Sequence, residues 1–455
     1  MTAIITTQTR VFNASQIKAS FEPGQPSQYL FIGKPAAWDN ELIPDVPADS
    51  IKTVNDARLD MISLKRISSA DVSHGTHRRN WSYGNRYDFY RDDYGQAGVQ
   101  GISLDGLPTT PAGLYEANFF VINDQYDVYK CMWNNNGAPS TIQPTGYSTQ
   151  EFNTADGYTW KYMFTLSAND VLKYLTKDFI PVMTLSANPG TSSPYYTQWQ
   201  VQEAAISGDI RRAVVLTQGS GYTPSSALPV TIKGDGVGAV ANAMTDVDGK
   251  VTSINFVTPG TGYSWAEITI PSPGTGATAK VIISPKGGHG SDPVDELGGF
   301  FIIINSVLSS DSTDFINGVD YRKIGLIRSP NIFGTTTPAT AFTLAAYRKA
   351  AITTVSGAFV NGETITGSIS GATATAIYHD TIASELYYGK NKGNTGVLVS
   401  GDILTGSVSG ATATVSSLTD PEVDTLSGDI IYLEHRYPIS HQQGQQEDIK
   451  VVLEC

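Results

Sequence analysis

Three features of this sequence predict a mainly β fold. Charged residues make up only 16% of the 455, against roughly 25% in an average globular chain, which leaves little material for long solvent-facing helices. Glycine is frequent, at 44 residues, in company with Thr, Ser, Tyr and Val, the residues of tight turns and pleated sheets. The third feature is repetition. Gln218-Gly219-Ser220-Gly221-Tyr222 returns as Pro259-Gly260-Thr261-Gly262-Tyr263, and Gly362 to Thr375 (GETITGSISGATAT) returns as Gly401 to Thr414 (GDILTGSVSGATAT). Each unit is too short to bury a core alone, so the copies are expected to pair as small β modules inserted into a host chain.

The length exceeds what one ordinary core fills and predicts two to four domains. Apolar residues at 40% and aromatics at 10% are enough to build them. Read in order, Val11–Phe21 predicts a short helix, closed by Pro23-Gly24. Tyr29 to Gly33 reads as a buried strand and Trp38-Asp39-Asn40 as loop. Ser50 is a fair N-cap for a helix over about 50–66, with a rough stripe at Ile51, Val54, Leu59, Ile62 and Leu64. Residues 117–122, 126–133 and 158–166 read as strands, with Asn134-Asn135-Asn136-Gly137 as strong turn chemistry. A helix over 168–176, capped by Ser167 or Asn169, precedes a Pro-, Ser- and Thr-rich linker at 187–198.

In the first repeat pair, strands are expected at Pro229–Ile232 and Glu267–Ile270, each followed by a Gly-Ala step (Gly238-Ala239 and Gly276-Ala277). In the second, the period-2 run Ile365, Gly367, Ile369 places alternate residues on one face. Phe300–Asn305, Tyr321–Ile327, Gly428–Leu433 and Asp448–Leu453 read as further strands, with a turn at Tyr437-Pro438. The domains are therefore expected at 1–200, 286–352 and 421–455 for the core, and at 201–285 and 353–420 for the modules.

Net charge is −13, and His77-Arg78-Arg79 is the one basic cluster. That argues against a nucleic-acid partner, which requires clustered cations. Cys131 and Cys455 are too far apart in sequence to form a disulfide framework and are expected as free thiols. No apolar run reaches the roughly 18 residues of a membrane span, and the N-terminus lacks a signal peptide's basic and apolar regions. The expectation is a soluble chain made inside a cell, with no membrane partner.

Chemistry-bearing clusters are few. His289 with Asp292, Asp295 and Glu296 has metal or acid–base residue types, but Gly287, Gly288, Gly290 and Pro293 make the segment read as an ordinary polar loop. Asp71, His74 and His77 lack further ligands, and His435 and His441 flank a proline turn. Gly219-Ser220-Gly221 and Gly260-Thr261-Gly262 lack the Gly-Lys-Ser/Thr of a phosphate loop and read as turns with positive φ. No pair of carboxylates is marked as a glycosidase couple. No metal, no cofactor and no catalytic residue is expected, and the chain reads as a non-enzyme.

The densest signal is Trp81, Tyr83, Tyr87, Phe89, Tyr90 and Tyr94 interleaved with Arg78, Arg79, Arg86 and Arg91. Tyr, Trp and Arg dominate interface energetics. The same aromatics also fill β cores, with their hydroxyls satisfying buried acceptors. Both readings stand at this point.

Several stretches, taken in order, resemble the dimeric baseplate wedge protein of T-even-like contractile-tailed phages. They are Tyr29-Leu30-Phe31-Ile32-Gly33-Lys34-Pro35 through Trp38 to Ser50; Arg78-Arg79-Asn80-Trp81 with Tyr87-Asp88; Val128-Tyr129-Lys130-Cys131; Asp156 to Phe164; Tyr321 to Ile327; and Ser427 to Ile439 with a closing strand. They cover about 10–185, 296–332 and 425–455, and both repeat pairs fall outside. The modules are similar to Gly/Thr/Ala-rich ones of cyanobacterial phage virions.

The resemblance implies a β-sandwich core with small helical loops, a homodimer, neighbouring wedge subunits as partners, a place in the virion tail baseplate and no catalysis. Its interface residues are expected among Arg78, Arg79, Trp81, Tyr87, Trp160, Tyr162, Glu434, Arg436 and Pro438. Two rivals remain. One is a receptor- or carbohydrate-binding virion protein using Tyr222, Tyr263 and Trp265 on the repeat modules, and the other is a tail-associated glycosidase.

Overall fold

The computed structural model describes residues 4–271, 273–309, 314–390 and 396–455, and these form a mainly β protein with a few short helices. The strands expected to build one core divide between two units. One comprises residues up to Ser15, Ser73–Ile303 and Val452–Cys455; the other comprises Gln16–Val72 and Ile304–Val451.

In the first unit, Phe120–Ile122, Asp127–Asn134, Tyr158–Thr165 and Phe152–Asn153 form an antiparallel sheet. Its two long strands are buried on both faces, and Tyr158 stacks on Trp160 at 5.4 Å while Tyr87 meets the same indole edge-on at 6.0 Å. Ser167 caps the helix Ala168–Tyr174 by accepting the Asp170 N–H, and Asp170 answers the Ser167 N–H, a complete capping box. The expected linker at 187–198 ends inside a helix, Tyr196–Glu203.

The first repeat pair is a reciprocal module. The strand expected at Pro229–Ile232 is split at Val230, and its second part, Thr231–Gly234, pairs antiparallel with Ala266–Thr269 of the other copy. Each copy's Gly-x-Gly turn then lies beside the other's Gly-Ala step, with Gln218 opposite Ala277 and Pro259 opposite Ala239. Gly219, Gly221, Gly260 and Gly262 all have positive φ, as turn chemistry requires. The Tyr222 hydroxyl accepts from the Ala277 N–H at 3.3 Å and the Tyr263 hydroxyl from the Ala239 N–H at 3.4 Å. Both tyrosines are thereby buried in the module.

The second unit is organised on a five-stranded antiparallel sheet in the order Thr343–Ala345, Met61–Ile67, Gln28–Gly33, Val319–Arg328, Asp429–His441. Its core gathers Tyr29, Phe31, Met61, Leu64, Ile327 and Leu344. The helix after Ser50 stops at Asp60, and residues expected to continue it to 66 form the strand Met61–Ile67. Ile62 and Leu64 alternate with Ser63 as a strand does, and pairing on both sides of this segment overrides its local helical preference. The strand expected to end at Leu433 continues to His441, through Pro438. A missing N–H is tolerated there because the strand is the sheet edge and its register shifts between Tyr321 and Lys323.

The second repeat pair closes a six-stranded barrel from Arg348–Thr353, Thr364–Gly367, Thr373–Asp380, Glu385–Lys390, Ile403–Gly406 and Thr412–Thr419. The barrel thus starts before the expected boundary at 353. Corresponding strands of the two copies pair, with Ile365 opposite Gly406 and Gly367 opposite Leu404. Ile365, Leu404, Ala374, Ala376, Ala413 and Val415 fill the interior. The alternation holds through Gly367, but Ile369 departs from that face and is exposed, because the chain turns at 368–371. Both modules enter and leave through paired antiparallel strands, Lys349 opposite Thr419 and Ile210 opposite Ile283. A module whose ends meet can be inserted into a chain without distorting its host.

Candidate interaction surface

Of the nine residues expected at an interface, three are buried, five half-buried and one exposed. Tyr87, Trp160 and Tyr162 are buried, so their side chains offer no surface to a partner. The patch arginines clamp backbone. Arg78 donates to the Thr176 carbonyl at 3.0 Å, Arg79 to the Tyr115 carbonyl at 2.6 Å, and Arg86 to the Gly137 carbonyl at 2.9 Å. Burial, offset in part by Asp88, lowers the Arg79 pKa to about 10. Arg91 is paired with Asp93 at 2.8 Å, and the half-buried Trp81 donates its indole N–H to Ser140 at 3.0 Å. Of the six patch aromatics, Tyr83 alone is exposed. The remaining expected residues, Glu434, Arg436 and Pro438, lie in the other unit; Pro438 is exposed and Arg436 pairs with Glu434 at 2.7 Å.

The segment beside Arg436 supplies a surface that sequence reasoning missed. Residues 34–51 form a strap over the last strand of the five-stranded sheet. The Trp38 indole N–H donates to the Arg436 carbonyl at 2.9 Å, and its ring lies 4.7 Å from that of His435. The His435 Nδ1–H donates to the Asp45 carbonyl at 2.6 Å. Arg322 donates through Nε to both Glu41 oxygens, at 2.9 and 3.1 Å, and through a terminal nitrogen to the Pro35 carbonyl at 2.8 Å. Ser50 ends the strap by capping the helix Ile51–Asp60.

While these polar groups hold the strap down, its large apolar side chains face outward: Leu42 is 79% exposed, Ile43 73%, Val46 89% and, at the helix start, Ile51 82%. Single exposed apolar residues are ordinary; four such side chains within residues 42–51, on a segment braced from beneath, are what sets the strap apart. The signal in the sequence is Glu41-Leu42-Ile43-Pro44-Asp45-Val46-Pro47, apolar residues with neither helical nor strand period.

The candidate chemical clusters have structural roles. The Glu296 carboxylate accepts the N–H groups of Gly290 and Asp292 at 2.7 and 3.1 Å and pairs with Lys130, both side chains being fully buried. Asp292 caps the helix Pro293–Glu296, and His289 packs edge-on against Tyr90 at 4.8 Å. The segment read as an ordinary polar loop is therefore a braced one, with His289 and Glu296 buried. Burial, then the nearby Lys130, Lys161 and Arg211 charges, push the His289 pKa well below its ordinary value. His74 meets the Gly299 carbonyl at 2.8 Å, His77 stacks on Phe179 at 5.2 Å, and Asp71 caps the turn at Ser68.

Lys161 is buried and donates to the Thr149 carbonyl at 2.7 Å. Burial, followed by the Lys130 and Arg211 charges, lowers its pKa to about 8. An unfolded lysine titrates near about 10.4, so between these values the folded chain binds fewer protons. Stability of the first unit is expected to rise as pH goes from about 8 to about 10, and Lys161→Met should flatten that rise in urea unfolding curves measured across this range.

The sequence matches no known family model, and no curated protein matches it. Among the described residues no helix is long and apolar enough to cross a membrane.

Proposed function

We propose that this chain is a structural assembly subunit, one that works by holding neighbouring copies and partners in fixed geometry rather than by catalysis. Within that class the best reading is a homodimeric subunit of a contractile-tail baseplate wedge, resident in the virion and contacting other wedge subunits. The observation that carries it is the strap, an irregular segment pinned at Trp38, Glu41 and Asp45 that holds Leu42, Ile43 and Val46 in solvent. In an interface with twofold symmetry the same patch meets its own copy, so one apolar strap per chain serves a dimer. The module-based glycan reading loses two of its three aromatics, because Tyr222 and Tyr263 are buried, and keeps Trp265, which is exposed.

The test is solution mass by light scattering. The 48.7 kDa chain is expected as a dimer, and Leu42→Asp with Ile43→Asp and Val46→Asp is expected as a monomer with an unchanged circular dichroism spectrum. Removing residues 350–418 and rejoining the paired ends Lys349 and Thr419 is expected to leave the dimer intact. A monomeric wild-type chain at tens of micromolar would sink the reading.

A further inference from the structure

A second site lies in the first unit, in a cleft of about 390 Å³ between the aromatic sheet and the first repeat module. That volume falls within the roughly 300–1,000 Å³ of small-molecule sites. One wall is Phe89 and Trp133, their rings 5.2 Å apart and edge-on, both half-buried. Ala213 to Val215, Thr252 and Ser253 of the module form the opposite wall.

The charged groups lining the cleft are already neutralised or satisfied. Asp88 accepts the N–H groups of Ile102 and Asn118 at 2.7 and 2.8 Å, and Arg91 is paired with Asp93. By contrast, the side chains of Gln100, Asn136 and Ser253 and the Trp133 indole N–H make no hydrogen bond to the protein among the described residues, and all four residues line the cleft. The site thus offers the aromatic side chains of Phe89 and Trp133, with Arg91 5.9 Å over the first ring and Arg212 5.8 Å over the second, together with unengaged neutral donors and acceptors.

The turn that carries Asn136 is held in an unusual conformation. Asn135, Asn136 and Gly137 have successive φ values of 49, 54 and 78°. Consecutive left-handed residues persist only where surroundings fix them. Here the Asn134 side chain accepts the Gly137 N–H at 3.3 Å, Asn135 donates to the Asp156 carbonyl at 3.0 Å, and Arg86 donates to the Gly137 carbonyl at 2.9 Å. The bracing leaves the Asn136 amide at the cleft while its neighbours' amides are spent on the turn.

From this lining we infer that the cleft binds a neutral saccharide. A sugar ring has an apolar face suited to Trp133 and Phe89, and hydroxyls suited to the amides and the indole N–H. An anionic ligand would find the lining cation, Arg91, already paired with Asp93, and a cationic one would find Asp88 buried and already accepting two backbone N–H groups. This site is distinct from the strap and does not depend on the assembly reading.

The test uses the full chain and two neutral probes, cellotetraose and chitotetraose, titrated by intrinsic tryptophan fluorescence and by calorimetry. At least one probe is expected to bind the wild type with millimolar or tighter affinity, and Trp133→Ala to weaken it at least tenfold. Asn136→Gly with Gln100→Ala, which removes both amides while easing the backbone, should weaken it several-fold in a chain whose circular dichroism is unchanged. No binding of either probe at 10 mM, taken as about tenfold above a millimolar Kd, overturns the inference, as does binding that survives both variants.

Discussion

Glu296→Ala is expected to destabilise the first unit by about 3–5 kcal/mol, the cost of leaving a buried charge without its partner. Lys130 projects from a strand buried on both faces, Glu296 ends the helix Pro293–Glu296, and the two side chains are 0% and 1% exposed. Removing the carboxylate strands the ammonium and also deprives the Gly290 and Asp292 N–H groups of their acceptor. Lys130→Met combined with Glu296→Leu should cost less than either single change. Two apolar groups of similar volume replace a pair whose desolvation is expensive, and only the two backbone N–H groups, at about 1–3 kcal/mol, remain unsatisfied. Urea unfolding followed by tryptophan fluorescence measures each of these variants. A Glu296→Ala loss below 1 kcal/mol, or a double variant worse than both singles, contradicts the buried-pair account.

The same unit carries an acid limit. His289 is kept neutral by burial and surrounding cations, so its folded pKa lies below that of the unfolded chain. Stability that depends on it is fully present above about pH 6.5 and is lost as pH falls through that value, because unfolding lets the imidazole charge. His289→Gln should remove the loss between about pH 6.5 and 5, a second readout of the environment that holds Lys130.

What the sequence made legible was local or repetitive. The caps at Ser50 and Ser167, the turn at Asn134–Gly137 and the pairing of repeat copies rest on short-range chemistry or on self-similarity, and the structure has each in place. The strand Met61–Ile67 was hidden because its partners, Gln28–Gly33 and Thr343–Ala345, decide its state. Burial of Tyr87, Trp160, Tyr222 and Tyr263 was hidden for a related reason: an aromatic side chain suits a core and an interface equally, and only tertiary packing chooses. The strap was least visible of all. Its exposure depends on Trp38 reaching the carbonyl of Arg436, 398 residues away, and on Glu41 reaching Arg322.

The barrel carries the other large expected effect, and it arises from repetition. Glu363 and Asp402 occupy equivalent places in the two copies, and each caps the Ser-Gly turn of the other. Glu363 accepts from the N–H groups of Val408 and Ser409 at 2.8 and 2.9 Å, from the Ser409 hydroxyl at 2.7 Å and from the Val360 N–H at 2.7 Å. Asp402 accepts from Ile369 and Ser370 N–H at 2.7 and 2.9 Å, from the Ser370 hydroxyl at 2.7 Å and from Val399 N–H at 2.8 Å. Gly406 and Gly367 lie under these carboxylates, and an added Cβ would come within 2.6 Å of Glu363 and 2.7 Å of Asp402.

Burial acts to raise both pKa values, but the converging donors outweigh it and hold both below the usual carboxylate range. The folded state is therefore favoured by the ionised form. Its contribution is complete above the unfolded values of about 4.3 and 3.9, and is lost as pH falls below them. Asp402→Asn places an amide donor against N–H donors and is expected to cost about 2–4 kcal/mol, and Glu363→Gln about the same. The double variant should approach the sum of the two, with the acid-induced loss below about pH 4 much reduced. Denaturant unfolding at pH 7 and pH 3.5, followed by far-ultraviolet circular dichroism, measures both effects. If Asp402→Asn unfolds with the wild-type midpoint at pH 7, reciprocal capping does not hold the two copies of the barrel together.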